Sequence, residues 1–318
     1  MINPDIHLNP QWLTDAKKST REGFGEALVA LGKTNPSVVV LTADLTESTK
    51  VDQYQHVYPD RFIEIGIAEQ NLAGVAAGLA ATGWIPVCSS YAVFNPGRNW
   101  EQIRSSIAYS QTNVKIVGSH AGLSVGPDGA THQALEDLAI TQVLPNMCVM
   151  SPCDYEQAKK SIIACVEHQG PVYLRLSRDV SHSLTTPTTP YEFGKAQVLR
   201  FGTKCTLIST GIVVAECLKA ANELDAEVIN VHTIKPLDEN TIIESAKKTH
   251  NVLVVEEHQM IGGLGSRVAQ VLGEKLPTPI KCIGVQDRFG QSGTTAELFN
   301  EYGLTWEHIL ATAKKFLT

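Results

Sequence analysis

Three features of this sequence predict an α/β protein built from two parallel or mixed-sheet domains. Short β-branched runs alternate with Ala-rich segments of helical periodicity along the whole chain, the pattern of a parallel sheet wrapped by helices. After Arg178 the alternation gives way to the stretch SHSLTTPTTPYEFG, in which Pro187 and Pro190 suit neither helix nor sheet interior. The 318 residues are enough for two domains that each bury a core.

In chain order, residues 37–41, 61–65, 85–90, 113–117 and 172–176 read as buried strands of a first domain spanning 1–182 with an N-terminal arm. Residues 183–194 read as the linker, and 195–318 as a second, smaller domain with strands at 205–209, 227–231, 252–256 and 280–285. Two amphipathic helices are expected near 294–302 and 305–316, the first with Thr294 as its N-cap.

Composition narrows the function. No apolar run is long enough to cross a bilayer, and MINPDIHLNPQW lacks the basic start and apolar stretch of a secretory signal, so a cytoplasmic protein is expected. A net charge of -7 supplies no basic field for nucleic-acid phosphates. The seven cysteines are odd in number and show no CxxC pair, which fits buried, reduced thiols.

Three segments hold candidate chemistry. In RFIEIGIAEQNLAGVAAGLAATG a strand, a tight turn and a helix place Glu69 near a helix N-terminus at the carboxyl end of a strand, where open α/β sheets bind ligands. The helix dipole alone also accounts for a glutamate there, and both readings stand. In PVCSSYAVFNPGRNWEQIR, Tyr91 and Phe94 follow a strand end, as core residues or as a surface on which a heteroaromatic ring stacks. In KIVGSHAGLSVGPDGATHQALED, a segment with four glycines, a strand delivers His120 into a loop that carries Asp128, Thr131 and His132. Such a loop is entropically costly to order, which favours a binding role. The separation of the two histidines fits no short metal-ligand pattern, and no metal site is expected. GGLGS at 262–266 is read as a turn between strand and helix.

Taken together, TADLTEST, GIAEQNLAGVAAGLAATG, SYAVFNPGRNWEQIR, SHAGLSVGPDGATHQALED, PNMCVMSPCD, YLRLSRD, VEEHQMIGGLGS and FGQSGTTAEL resemble the second half of the transketolase family, from about Arg21 to the C-terminus. The GDG…N motif, with which that family's N-terminal domain holds a metal and the cofactor diphosphate, does not occur here. The resemblance therefore implies a split transketolase. Thiamine diphosphate would be shared with a separate N-terminal subunit that binds Mg²⁺ or Ca²⁺, in an α2β2 assembly, and a two-carbon ketol unit would pass from a ketose phosphate to an aldose phosphate.

By the same resemblance, Glu69 matches the carboxyl that hydrogen-bonds N1′ of the cofactor's aminopyrimidine, which it must meet in protonated form. Tyr91 matches the aromatic that stacks on that ring, with Phe94 beside it, although the family more often has Phe at the first position. Asp44 and Leu45 match positions near the ring. Arg21, Ser48, His120 and Arg178 match residues that bind the sugar phosphate, as guanidinium and imidazolium donors; Asp128 and His132 match readers of its hydroxyls. His120 and His132 are further candidates for proton transfer.

Three rivals remain at this level. The β subunits of 2-oxoacid dehydrogenases share the two-domain plan, but the His120 to His132 loop favours sugar phosphates. In deoxyxylulose-phosphate synthases the segment corresponding to YLRLSRD differs. A silent assembly or regulatory partner would not need Glu69, both histidines and Arg178 together.

Overall fold

A computed structural model describes residues 1–318. Its strands, in chain order, are β1 (Lys18–Ser19), β2 (Val38–Thr42), β3 (Phe62–Glu64), β4 (Ile85–Tyr91), β5 (Lys115–Ser119), β6 (Cys148–Met150) and β7 (Val172–Arg175). There follow β8 (Val180–Ser181), β9 (Gln197–Arg200), β10 (Cys205–Ser209), β11 (Ala226–Asn230), β12 (Thr233–Lys235), β13 (Val252–Gln259) and β14 (Ile280–Val285). A seven-stranded sheet in the order β12-β6-β7-β5-β4-β2-β3 and a five-stranded sheet in the order β14-β13-β10-β11-β9 form the α/β frame. Both are parallel except at one edge, where β12 pairs antiparallel with β6 and β9 with β11.

The long buried strands follow from the apolar runs that announced them. Every residue of β2, β5, β10 and β11 is buried, as expected of sheets covered by helices on both faces. β5 begins two residues later than expected, because the Asn113 carboxamide caps the preceding turn by accepting from the Gly170 N–H and the Lys115 ammonium. The sequence did not reveal β6, β9 and β12, whose three or four residues are too short to show a period.

Helix Thr20–Thr34 starts on a capping box between Ser19 and Glu22. It crosses helix Tyr155–Glu167 so closely that a Cβ on Gly23 would lie 2.2 Å from the Tyr155 carbonyl oxygen. Near the C-terminus, Thr294 caps helix Thr295–Glu301 through a second capping box, and helix Trp306–Phe316 follows. No helix is long and apolar enough to cross a membrane.

Contacts run across the stretch read as the linker in three ways. Residues 182–196 form neither helix nor strand, yet they are tied down: Lys160 Nζ donates to the carbonyls of Thr186 and Thr189, and Thr185 donates to Asp154. The first residues of the chain pack on the second sheet, with Asn3 Nδ2 donating to Val198 O at 2.8 Å and Trp12 joining that core. Conversely, β12 leaves the second half of the chain to extend the first sheet.

Lys115 opens β5 in complete burial, and its ammonium is met by Asn113 Oδ1 at 2.6 Å and by the His168 and Gly170 carbonyls at 2.7 Å. Burial lowers its pKa to about 8. The three acceptors hold the strand to the turn before β7, so Lys115→Met, which leaves them without their donor, should cost about 3 kcal/mol. Urea unfolding tests this, and an unchanged midpoint would contradict it.

Candidate active site

Because β7, β5, β4, β2 and β3 are neighbours and run parallel, the loops that leave them open on one edge of the first sheet. β2 leads to Asp44, Leu45 and Ser48, β3 to Glu69, β4 to Tyr91 and Phe94, β5 to His120, and β7 to Arg178. Arg21 joins them from the first turn of helix Thr20–Thr34.

Glu69 is the first residue of helix Glu69–Ala81 and is only 5% exposed. Its Oε1 accepts from Arg98 Nη1 at 3.1 Å, and its carbonyl accepts from Asn99 Nδ2 at 3.0 Å. Asn99 also donates to Asn95 Oδ1 at 2.9 Å, and Asn95 Nδ2 reaches the carbonyls of Cys88 and Val117. The backbone of Glu69, at the start of its helix, is thus tied through two asparagines to β4 and β5, while the carboxyl itself is met by Arg98 alone. Arg98, half exposed, also lies 4.0 Å over the ring of Phe94. Sequence reading passed over Arg98, Asn95 and Asn99. The available signal was the spacing of Arg98 four residues beyond Phe94, which suits a cation over a ring once the segment turns.

Tyr91 and Phe94 are half-buried, so they line the edge instead of filling the core. Tyr91 stacks on His120 with ring centroids 3.8 Å apart and is 5.9 Å from Phe94. His132 meets both rings edge-on, at 6.2 and 5.7 Å. His120 itself has φ 55°, a left-handed conformation unusual for a side chain of its size, and its Nδ1 lies 3.0 Å from Ser119 Oγ.

Beyond this wall lie two guanidinium groups. Arg21 donates to Ser48 O at 2.8 Å and to Arg178 O at 3.1 Å, and Arg178 donates to Val125 O at 2.6 Å. Neither makes a salt bridge with a carboxylate. Burial and then the charge of Arg178 pull Arg21 below its ordinary value, the signature of like charges held together. Two adjacent cations supplied with carbonyls and no counter-ion form a natural anion site.

One expectation is corrected here. His120 was read as an imidazolium donor, but burial, followed by the charges of Arg21, Arg178 and His132, lowers its pKa to about 2. It acts as a neutral imidazole. Not every expected residue joins the group, either. The Asp44 N–H is held by Glu64 at 2.8 Å, and no side-chain hydrogen bond or ion pair links Asp44, Leu45 or Asp128 to the others.

The Gly262–Ser266 turn takes an anion from within the chain: Glu256 accepts from Leu264 N at 2.7 Å and Gly265 N at 2.8 Å, at the start of helix Leu264–Lys275.

Comparison with known proteins places these features in context. Residues 16–182 match the transketolase pyrimidine-binding domain, and residues 194–309 match the transketolase C-terminal domain. A Methanocaldococcus jannaschii protein described as a transketolase C-terminal section is 43% identical over 93% of this chain and 96% of its own length. A 6-deoxy-6-sulfo-D-fructose transketolase subunit of Clostridium sp. is 39% identical over 97% of this chain and 95% of its own length. Among solved structures, one described as a split gene transketolase, an inactive beta4 tetramer, superposes with a TM-score of 0.87 at 44% identity, over 95% of this chain and 99% of that one.

The charge state of His120 can be read directly. Nitrogen chemical shifts of its imidazole should stay those of the neutral ring as the pH is lowered from 8 to about 5, below the ordinary histidine value. Protonation of His120 near pH 6.5 would contradict the site's geometry.

Proposed function

We propose that this chain, which belongs to the transketolase family, supplies the pyrimidine side of a thiamine-diphosphate site and is active only with a separate N-terminal subunit. Its reaction is the transfer of a two-carbon ketol unit from a ketose phosphate to an aldose phosphate, in the cytoplasm. The observation that carries this reading is Glu69: a carboxyl group buried in the first turn of a helix, at the carboxyl edge of a parallel sheet, beside a half-buried aromatic wall.

The residues present fit the cofactor's aminopyrimidine. A flat heteroaromatic ring needs an apolar surface to lie on and a polar partner at its edge; Phe94 and Tyr91 offer the first and Glu69 the second. When bound, the cofactor supplies a nucleophilic carbon and an electron sink. Glu69 holds or gives a proton at N1′, which requires it to leave Arg98 for the ring. His120 and His132 are placed to move protons at substrate oxygens, His120 as a neutral donor or acceptor. Arg21 and Arg178, beside Ser48, bind the terminal anion, and Asp128 reads hydroxyls from its loop.

Diphosphate and Mg²⁺ or Ca²⁺ would be held by the partner, in an α2β2 assembly. The relatives support this reading by their own descriptions, one as a transketolase subunit and one as a split gene product that is inactive as a beta4 tetramer.

Mixing the chain with its partner, thiamine diphosphate and Mg²⁺ should produce ketol transfer that neither chain shows alone. Glu69→Gln and Glu69→Ala should each lower kcat by roughly 100-fold or more. Transfer by the single purified chain, or unchanged turnover in both variants, would overturn the proposal.

A further inference from the structure

The segment VEEHQMIGGLGS belongs to the second domain, yet two of its three buried polar residues, Glu257 and His258, face the first. Glu256 and Glu257 are adjacent near the end of β13, and successive strand residues point to opposite sides. Glu256 turns back into its own domain to cap a helix. Glu257, 3% exposed, crosses the seam: its Oε1 accepts from the Ser124 N–H at 2.5 Å. Its carboxylate also fills the space beside Gly122, where an added Cβ would lie 2.5 Å from the same oxygen.

Neighbouring contacts grip the other leg of the same loop. Gln259 N donates to Leu135 O at 2.8 Å. Arg175 donates to Glu257 O at 2.8 Å and to Asp137 Oδ2 at 2.9 Å, at the start of the helix that follows the loop. Between these two grips run residues 124–135, with His132 near the far end, and His120 lies four residues before the first grip. Gly122, Gly126 and Gly129 have φ of 82°, 78° and 75°, conformations that glycine enters freely and leaves as freely. Such a loop does not hold two histidines at a fixed distance from a substrate by its own stiffness. Gln133 Nε2 braces it from within by donating to the carbonyls of Leu123 and Gly126, and Arg178 holds Val125 O; the second domain supplies further ties.

We propose that Glu257 is a positioning residue for substrate binding, through which the second domain holds loop 120–135 in the conformation that presents His120 and His132 to the sugar phosphate. This rests on the function proposed above. It gives the C-terminal domain a part in substrate recognition, although neither the aromatic wall nor Glu69 belongs to it. Ser124 meets the Glu257 carboxyl through its backbone N–H and with its hydroxyl close by, so what the loop requires of position 257 is an acceptor oxygen at that point in space.

Wild type, Glu257→Ala, Glu257→Gln and Glu257→Asp are compared in the complex reconstituted with partner, thiamine diphosphate and Mg²⁺. The readouts are KM for the ketose phosphate, kcat, the Kd of thiamine diphosphate, and hydrogen exchange of the peptide spanning 121–130. Glu257→Ala should raise KM about 10-fold or more and speed exchange at Ser124 by a similar factor, while the cofactor Kd stays within about twofold. Glu257→Gln retains an acceptor and should restore most of both. If Glu257→Ala fails to fold, Glu257→Asp, which draws the oxygen back by one methylene, should show the same split between KM and cofactor Kd.

Wild-type KM and exchange in Glu257→Ala, or in Glu257→Asp should the alanine variant not fold, would overturn the inference. So would an equal loss of substrate and cofactor affinity, the mark of a merely structural role. Absence of ketol transfer from the wild-type complex would instead remove the proposed function; the exchange comparison would still show whether Glu257 orders the loop.

Discussion

A carboxyl group taken out of water must be hydrogen-bonded or paired, and the first domain is organised around meeting that requirement for Glu69. The parallel sheet brings β3 and its successor helix to the same edge as β4 and β5, so the helix N-terminus and Arg98 converge on one side chain. The asparagine pair below it binds the helix start to two strands at once. The start of the helix is therefore fixed by the sheet edge, while the carboxyl itself is held by Arg98, which the polar edge of a ligand can replace. Arg98 is half exposed, so its ion pair is screened and readily exchanged.

The rest of the edge grades outward from that point. Phe94, Tyr91 and His120 form a stack of near-parallel rings, and Arg21 and Arg178 lie close enough to His120 to lower its pKa. Aromatic rings and paired cations on one sheet edge suit two ligand groups that meet there, a flat ring and a separate anion. Burial first, and then the charges of Arg21, Arg178 and His132, favour the neutral form of His120, which leaves the imidazole able to accept as well as donate a proton. The second domain adds no group to this edge and instead closes on the flexible loop that borders it.

Much of the frame was legible in the sequence because strands buried on both faces write themselves as unbroken apolar runs, as in Val38–Thr42 and Cys205–Ser209. What escaped had no local signature. β12 belongs to one sheet by space and to the other half of the chain by sequence, and nothing beside Lys115 in the sequence announces the His168 and Gly170 carbonyls that meet its buried ammonium. In the site, the strand, turn and helix around Glu69 pointed to a ligand edge from periodicity alone, whereas its chemical meaning came from likeness to a family. Arg98 and Glu257 act through partners 29 and 133 residues away, beyond the reach of any pattern along the chain. His120 was read as an imidazolium, whereas burial first, and then two guanidinium groups distant in sequence, lower its pKa.

The account turns on Glu69 exchanging its guanidinium partner for the polar edge of a ring held partly by another polypeptide. A structure of the chain assembled with its N-terminal partner and thiamine diphosphate tests this most directly. The account predicts N1′ of the aminopyrimidine within hydrogen-bonding distance of the Glu69 carboxyl, the ring against Tyr91 or Phe94, and Arg98 displaced. Cofactor bound elsewhere, with the Glu69 to Arg98 pair intact, would contradict it.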